Sequence, residues 1–196
     1  MIAFAVLFIL VYIAGSINFA ILVLKVIGEA DPRTQFSGNA GTTNVYRQAG
    51  LAWAAVVLLL DLGRALAAAA MAVNFLPVTA VPWIGFSLVV GNRFPCFHQF
   101  RGGKGVAGFL GFTIMLSPVA AAVSAIIWVA VHRIVRIPFI ASFFMISALA
   151  IGTMIAYSFE TVAAAGTIAT ALLIVFNHRQ NMAELLAGRG KSHEGS

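Results

Sequence analysis

Residues 106–131 read VAGFLGFTIMLSPVAAAVSAIIWVAV, a run without any charged side chain whose clearest interruption is Ser117-Pro118. A transmembrane helix needs about 20 predominantly apolar residues, so the run is long enough to cross a membrane once. Proline breaks a helix unless it lies in the first turn, so the same run can also hold two shorter helices. Whether it crosses once or twice decides how many spans the chain has and where its basic loops lie.

The whole chain has the composition of a membrane protein. Of its 196 residues, 61% are hydrophobic and 9% are charged, and the mean hydropathy is +0.99. Soluble domains carry about 25% charged residues, so this chain lacks the polar side chains to cover a water-exposed surface. We expect an all-α, polytopic integral membrane protein that forms one membrane-embedded domain, residues 1–196, with a polar tail at 189–196. Further apolar blocks cover residues 2–24, 51–75, 78–91, 137–157 and 161–176.

Basic residues indicate the orientation, because cytoplasmic loops of membrane proteins are rich in Lys and Arg. If residues 106–131 cross once, the chain has six spans, and the basic link 132–136 and the tail lie outside. If they cross twice, eleven of the twelve basic residues lie on one side and only Arg64 lies in a span. We therefore predict about seven transmembrane helices, with the N-terminus outside and the C-terminus cytoplasmic. At about 1.5 Å per residue this run cannot cross a core of about 30 Å twice as two full helices, so at least one is short.

Several classes of protein are disfavoured. The net charge of +6 fits basic cytoplasmic loops better than nucleic-acid binding. Cys96 is the only cysteine, which excludes an intrachain disulfide and a cysteine-based metal cluster, and no pattern indicates a metal or another cofactor. The chain has no Gly-x-Ser-x-Gly, no His-Glu-x-x-His and no His followed five residues later by Asp. The chain is therefore not expected to be a serine hydrolase, a zinc protease or a soluble-faced acyltransferase.

An ionisable pair interrupts the block 51–75. Asp61 and Arg64 are three residues apart and share a helical face. Ionisable residues within a span are costly and often functional, but an ion pair that only fixes helix packing is an equally good interpretation. The first interpretation predicts that the pair supports the site from within the membrane, and the second predicts that it holds helices together.

The first polar cluster, residues 37–47, reads SGNAGTTNVYR between the first two predicted spans. Its glycines allow close backbone approach, and its hydroxyl and amide groups donate hydrogen bonds without adding charge. With Arg47 at its end, the segment suits a phosphate or a carboxylate. The alternative is an ordinary polar connecting loop, and the density of Gly, Asn, Thr and Ser favours the binding role. Its candidate binding residues are Ser37, Gly38, Asn39, Gly41, Thr43, Asn44 and Arg47.

The second cluster, residues 100–105, reads FRGGKG immediately before the apolar run. Glycines free backbone N–H groups to point at an anion, and the following helix N-terminus and Lys104 add positive potential. A nucleotide-binding P-loop needs Ser or Thr after Gly-Lys, and Gly105 stands there, so ATP and GTP are not expected. The alternative is that Arg101 and Lys104 only anchor this loop to the membrane surface. Its candidate residues are Arg101, Gly102, Gly103, Lys104 and Gly105.

The third cluster is NHRQN at residues 177–181, at the end of the last predicted span. His178 and Asn181 are three residues apart and would share a helical face. Histidine is suited to proton transfer near neutral pH, although an isolated interfacial histidine is more often simply solvated.

Together these clusters resemble the bacterial acyl-phosphate:glycerol-3-phosphate acyltransferase (PlsY) family, over nearly the whole chain. The resemblance also rests on Gly15-Ser16, Gly50, Asp61, Phe94-Pro95, Ala141-Ser142 and residues 185–188. It implies a seven-helix enzyme of the bacterial inner membrane with a cytoplasmic active site. Such an enzyme transfers a fatty acyl group from acyl phosphate to the 1-hydroxyl of glycerol 3-phosphate, which gives lysophosphatidic acid and phosphate for phospholipid biosynthesis. The chain departs from the family pattern at Asn92, Arg64-Ala65, Arg101, Asn177 and Glu184.

The resemblance and the residue chemistry together suggest roles. Lys104 and Arg47 would neutralise the two phosphates, and the first cluster would position acyl phosphate. His178 would assist proton removal from the acceptor hydroxyl or bind its phosphate, oriented by Asn181, and Ser142 would contact substrate. No cofactor is needed, and the expected partners are the two substrates and membrane lipid. The alternatives are a small transporter or channel for a phosphorylated metabolite, and a divergent relative with another acceptor.

Overall fold

A computed structural model describes residues 1–187, and the predicted polar tail 189–196 lies outside the described residues. The described chain is all-helical, as predicted. A 3₁₀ turn at Val78–Ala80 precedes α4. The helices are α1 (Ile2–Ser16), α2 (Phe19–Val26), α3 (Thr42–Phe75), α4 (Val81–Arg93), α5 (Val106–Leu116), α6 (Pro118–Val135), α7 (Pro138–Ala156), α8 (Thr161–Asn177) and α9 (Arg179–Leu186).

Four stretches are long and apolar enough to span a membrane: Ile2–Val26, Thr42–Phe75, Pro118–Val135 and Pro138–Ala156. A fifth is possible if α8 and α9, which meet at a 45° bend, count as one span, while α5 is a shorter apolar helix. Large apolar side chains such as Leu59, Ile126 and Leu172 are exposed along these helices. Such a surface is stable in lipid and not in water, so the protein is a multi-pass membrane protein. The number of seven spans and the orientation of the termini stay predictions.

The break predicted within residues 106–131 is present. α5 ends at Leu116, Ser117 is not helical, and Pro118 is the first residue of α6, the position where its missing N–H costs nothing. The first turn of α5 and the C-terminal half of α6 line the same cavity, so α6 folds back alongside α5. The 11 residues of α5 make it the short helix, whereas α6 has 18 residues because it includes His132 and Arg133 from the predicted basic link.

The first apolar block, predicted as one helix, is broken between Ser16 and Phe19. The Asn18 side chain caps α2 by accepting a hydrogen bond from the Ile21 N–H at 3.1 Å, and it donates to the Ala40 carbonyl at 3.2 Å. Arg64 of α3 donates to the carbonyls of Ala14, Gly15 and Ile17 at this break.

The in-membrane ion pair therefore has a packing role. The Arg64 Nη2 lies 2.7 Å from the Asp61 Oδ1. The same guanidinium group donates hydrogen bonds to carbonyls that the end of α1 leaves without helical partners. Of the two interpretations of the pair, the one in which it holds helices together agrees with these contacts. Asp61 also borders the main cavity, but Arg64 does not.

Close helix approach positions the elements that carry the site. Where α1 crosses α4, a Cβ on Gly91 would overlap the Tyr12 carbonyl and lie 3.0 Å from Gly15 Cα. Only glycine fits there. The core continues through clusters of buried side chains. One lies between α1, α3, α4 and α5 around Ile84 and Phe112, and another is shared by α4, α5, α6, α7 and α8 around Phe109 and Leu149.

Candidate active site

One cavity of about 460 Å³ collects residues from all three polar clusters, which are far apart in sequence. Four predicted residues do not line it: Gly38, Arg101, Gly102 and Arg64. The predicted residues that do line it are Ser37, Asn39, Gly41, Thr43, Asn44, Arg47, Asp61, Gly103, Lys104, Gly105, Ser142, His178 and Asn181.

Two helix N-termini meet at the polar end of this cavity. α3 begins at Thr42, so the second half of the first cluster is helical and not a loop as predicted, and Gly41, Thr42 and Thr43 line the cavity. α5 begins at Val106 after Gly105, whose φ of 93° places it in the left-handed region that favours glycine. The first N–H groups of a helix have no intrahelical partner and carry positive potential. The cavity thus has two backbone sites suited to anions.

Lys104 adds a full charge beside the N-terminus of α5. Its Nζ donates a hydrogen bond to Asn181 Oδ1, and its carbonyl accepts one from Asn177 Nδ2 at 3.1 Å. Burial lowers the pKa of Lys104 to about 8; the charge of Glu184 opposes this shift, and those of Arg47 and Arg93 add to it. The expected role of Asn181 is corrected here, because its described partner is Lys104 and not His178.

The glycines of the second cluster serve packing more than anion binding. The Gly102 and Gly103 N–H groups donate to the carbonyls of Arg93 and Asn92, at 3.2 and 3.0 Å. The prediction that these N–H groups point at an anion is therefore wrong. A Cβ on Gly103 would lie 2.7 Å from Asn92 Oδ1, so glycine is needed for close approach to α4. In this segment Gly103, Lys104 and Gly105 line the cavity, and the start of α5 follows them directly.

Asn44 holds the first cluster in shape. Its Nδ2 donates to the Pro32 and Gln35 carbonyls at 2.7 and 3.0 Å, and its Oδ1 accepts from Ser37 Oγ at 3.3 Å. Both amide hydrogens are thus occupied within the protein, which corrects the expectation that Asn44 donates to substrate. Ser37 lines the cavity, but its hydroxyl hydrogen is donated to Asn44, which also corrects the expectation that Ser37 donates to acyl phosphate. Arg47 lies one turn along α3 from Asn44.

His178 lies at the bend between α8 and α9 and is 2% exposed. Its Nδ1 is 2.8 Å from the Ile174 carbonyl, which can only accept, so the hydrogen is on Nδ1 and Nε2 carries the free lone pair. The edge of the ring packs on Phe143, with centroids 5.3 Å apart. Burial and the nearby charge of Lys104 lower the pKa of His178 to about 4, so the ring is neutral at physiological pH.

The opposite end of the cavity is apolar. Ala125, Trp128 and Val129 follow one another on one face of α6 and line it, and Val129 is 49% exposed on the lipid-facing side. Ser142 Oγ accepts from Trp128 Nε1 at 3.2 Å and donates to the Pro138 carbonyl at 3.0 Å. Its hydrogen is thus not available to a substrate, so Ser142 fixes the Trp128 ring in the wall, contrary to the predicted substrate contact. The other apolar lining residues include Leu58, Leu110 and Met145.

Sequence reasoning did not assign several lining residues to the site. Thr42 has a buried hydroxyl without a partner among the described residues, and it could have been found as part of the SGNAGTT run. Asn92 and Glu184 also line the cavity. Asn177 belongs to the third polar cluster but had no predicted role, and it donates a hydrogen bond to the Lys104 carbonyl. Trp128 gave no signal, because aromatic residues are common in spans.

The fold and the cavity together define a polytopic helical membrane protein with a site that has an anion-accepting end and an apolar end open toward lipid. The family model described as glycerol-3-phosphate acyltransferase matches residues 5–188. The chain belongs to this family, as the sequence resemblance indicated.

Relatives that carry this name and solved structures agree with this assignment. The glycerol-3-phosphate acyltransferase of Neisseria meningitidis serogroup B is 37% identical, over 94% of each chain. That of a Pseudomonas fluorescens strain is 38% identical, over 95% of this chain and 97% of the relative. The crystal structure of PlsY, an integral membrane glycerol 3-phosphate acyltransferase, in its glycerol 3-phosphate form matches with a TM-score of 0.88 at 31% identity, over 95% of this chain and 93% of that one. Its lysophosphatidic acid form matches with a TM-score of 0.85 at 30% identity.

Proposed function

We propose that this glycerol-3-phosphate acyltransferase uses acyl phosphate as its donor and acylates the 1-hydroxyl of glycerol 3-phosphate. The observation that carries the proposal is the convergence of two helix N-termini, Lys104 and Arg47 at one end of a cavity whose other end is apolar and borders lipid. Two phosphates meet in this reaction, one on each substrate, and one substrate carries a fatty chain. The PlsY structures with glycerol 3-phosphate and with lysophosphatidic acid show that relatives of this fold hold the acceptor and the product.

An acyl phosphate donor makes a nucleophilic side chain unnecessary, because the acyl group is already activated. The acceptor oxygen bonds to the acyl carbon, the bond from that carbon to the phosphate oxygen breaks, and the hydroxyl proton ends on the departing phosphate. Holding the acceptor hydroxyl next to the acyl carbon supplies much of the barrier reduction. Lys104 and the first N–H groups of α5 stabilise the charge that grows on the departing phosphate.

Neutral His178 has the geometry to orient the acceptor. Its Nε2 accepts a hydrogen bond from the 1-hydroxyl, while the Ile174 carbonyl holds the ring from the other side. Its lowered pKa makes it a weak base, so it positions the hydroxyl and the phosphate takes the proton. Arg47 and the N-terminus of α3 then bind the phosphate of glycerol 3-phosphate.

We place the enzyme in the bacterial inner membrane with the cavity at the cytoplasmic face. The placement is supported by the segregation of basic residues that the seven-span topology produces, since the cavity lies among the loops that carry them. Glycerol 3-phosphate is a charged, soluble metabolite and reaches the cavity from the aqueous side. The acyl chain reaches it from the membrane past Val129.

The test is a donor comparison with the purified full chain in mixed micelles. Radiolabelled glycerol 3-phosphate is supplied with palmitoyl phosphate, palmitoyl-CoA or palmitoyl-carrier protein, and lysophosphatidic acid and free phosphate are measured. We expect both products in equal amounts from palmitoyl phosphate alone. Product formation from a thioester without phosphate release would overturn the choice of donor, and absence of lysolipid with every donor would return the transporter to consideration.

Two variants connect the assay to the cavity. Lys104→Met should lower the rate about 100-fold, the usual effect of removing one group that stabilises transition-state charge. The matched control, Arg133→Gln, removes an exposed positive charge near the C-terminal end of α6, outside the cavity, and should leave the rate unchanged. Equal rates in the two variants would remove Lys104 from the mechanism.

A further inference from the structure

Three arginines gather beside the active site without lining it. Arg93 ends α4, Arg101 lies in the loop before α5, and Arg179 begins α9. Arg93 is close enough to Arg179 and Arg101 to be repelled by both. The loop itself brings Arg101 toward Arg93, because the Gly102 N–H donates to the Arg93 carbonyl at 3.2 Å. We call these three residues the arginine cluster.

The arginine cluster has no protein counter-ion among residues 1–187. The two ion pairs in this part of the chain use Arg33 and Arg64. Glu184 acts on Lys104 and lies within 4 Å of none of the three guanidinium groups. Arg93 Nε is buried and has no hydrogen-bond partner in the described structure. Like charges held together at such a position are unfavourable unless an anion lies between them.

Exposed aromatic rings surround the cluster and indicate which kind of anion fits. The Arg93 guanidinium lies over the Phe94 ring at 5.3 Å and that of Arg179 over the Phe176 ring at 4.4 Å. Phe97 and Phe100, in the same loop as Arg101, are also exposed. A soluble anion would gain nothing from these rings. A membrane lipid would place its phosphate on the guanidinium groups and its chains against the phenylalanines.

We propose that the arginine cluster is a binding site for the head group of an anionic phospholipid, separate from the substrate cavity. Guanidinium groups match phosphate oxygens in a planar, bidentate geometry, and basic pockets between transmembrane helices bind anionic lipid head groups. The bound lipid supplies the missing negative charge next to Arg93 and fixes the loop that carries Lys104. This inference goes beyond acyl transfer and does not depend on which donor the enzyme uses.

Lipid retention tests the proposal independently of activity. The full chain is purified in detergent, incubated with equal amounts of phosphatidylglycerol and phosphatidylcholine of the same chain length at fixed salt, and the lipids retained are counted by native mass spectrometry. The wild type should retain phosphatidylglycerol preferentially. The double variant R101Q/R179Q should lower the phosphatidylglycerol to phosphatidylcholine ratio about fivefold or more, the change expected when even one basic contact near a membrane surface is lost.

The chain provides a matched control in R133Q/R136Q, which removes the same charge from two equally exposed arginines at the link between α6 and α7. This variant should change the ratio less than twofold. If both double variants lower the ratio equally, general surface charge explains the preference and the proposal fails. It also fails if the wild type shows no preference, or if millimolar inorganic phosphate displaces the lipid completely. The single variant R101Q, whose side chain makes no described hydrogen bond, removes one basic contact, should lower the ratio about fivefold, and serves if R101Q/R179Q does not fold.

Discussion

The pH dependence of this enzyme should report the charge on Lys104. Burial lowers the pKa of this lysine to about 8, so its positive form, which the reaction needs, is present below pH 8 and disappears as the pH rises through it. An ordinary exposed lysine would keep its charge to about pH 10. The alkaline fall in activity is thus expected about two pH units earlier than for an exposed lysine.

The magnitude follows from the titration curve. With a pKa of about 8, roughly nine-tenths of Lys104 is charged at pH 7 and roughly one-tenth at pH 9. We therefore expect kcat/KM for acyl phosphate to fall about tenfold between pH 7 and pH 9. Since a bound phosphate favours the charged lysine, kcat should fall at a higher pH than kcat/KM. The pKa of His178, lowered to about 4, keeps that residue neutral throughout this range.

The assay is phosphate release with saturating glycerol 3-phosphate and acyl phosphate well below its KM, between about pH 6.5 and 9.5, corrected at each pH for hydrolysis without enzyme. Lys104→Arg is the diagnostic variant, because arginine stays charged over the whole range. Its rate is lower than that of the wild type, since the longer fork disturbs the contact with Asn181, but its profile should lack the fall at pH 8. An identical alkaline fall in wild type and Lys104→Arg would refute the assignment, because the titrating group would then lie elsewhere.

Three further predictions concern packing and specificity. Arg64→Met should lower the free energy of unfolding by about 3–5 kcal/mol, because it leaves Asp61 unpaired and the end of α1 without partners. Thermal unfolding in detergent measures the loss, and the double variant Asp61→Asn/Arg64→Met should recover part of it. Gly91→Ala should destabilise by about 1–3 kcal/mol, since its Cβ meets backbone of α1 that cannot move away, whereas Gly63→Ala, with nothing within 4 Å, should be neutral or stabilising in the same unfolding assay. Trp128→Ala should enlarge the apolar end of the cavity and raise the ratio of kcat/KM for long over short acyl phosphates roughly tenfold; an unchanged ratio would mean that the chain lies elsewhere.

The hydropathy of the sequence predicts where the helices lie, but it predicts the residues at which they begin and end less accurately. The interruption at Ser117-Pro118 is visible in sequence, because proline has a strong local preference for the first turn of a helix. The break between α1 and α2 is not, since residues 14–17 are apolar or small and the carbonyls freed there are satisfied by Arg64 from another helix. In the same way, α6 continues through residues 132–135 of the basic link 132–136, because local charge does not end a helix.

The candidate site shows a similar division between residue choice and residue role. Polar residues in so apolar a chain stand out, and most of those selected do line one cavity. Their partners were harder to predict. Asn181 contacts Lys104, Asn44 holds its own loop, and Ser142 supports Trp128. Each of these depends on which group lies within 3 Å, and that distance is set by helices that are remote in sequence.

The amino-acid sequence by itself determined that this is a helical membrane protein, which family it resembles, and which polar segments form the site. These properties follow from composition, hydropathy and local motifs, which act over one or a few helical turns. Only the tertiary structure decided that two helix N-termini meet at Lys104, that Arg64 completes the end of α1, and that three arginines lie together without a described counter-ion. Charge, burial and hydrogen bonding at these places are properties of neighbours in space, and chain order alone does not specify those neighbours.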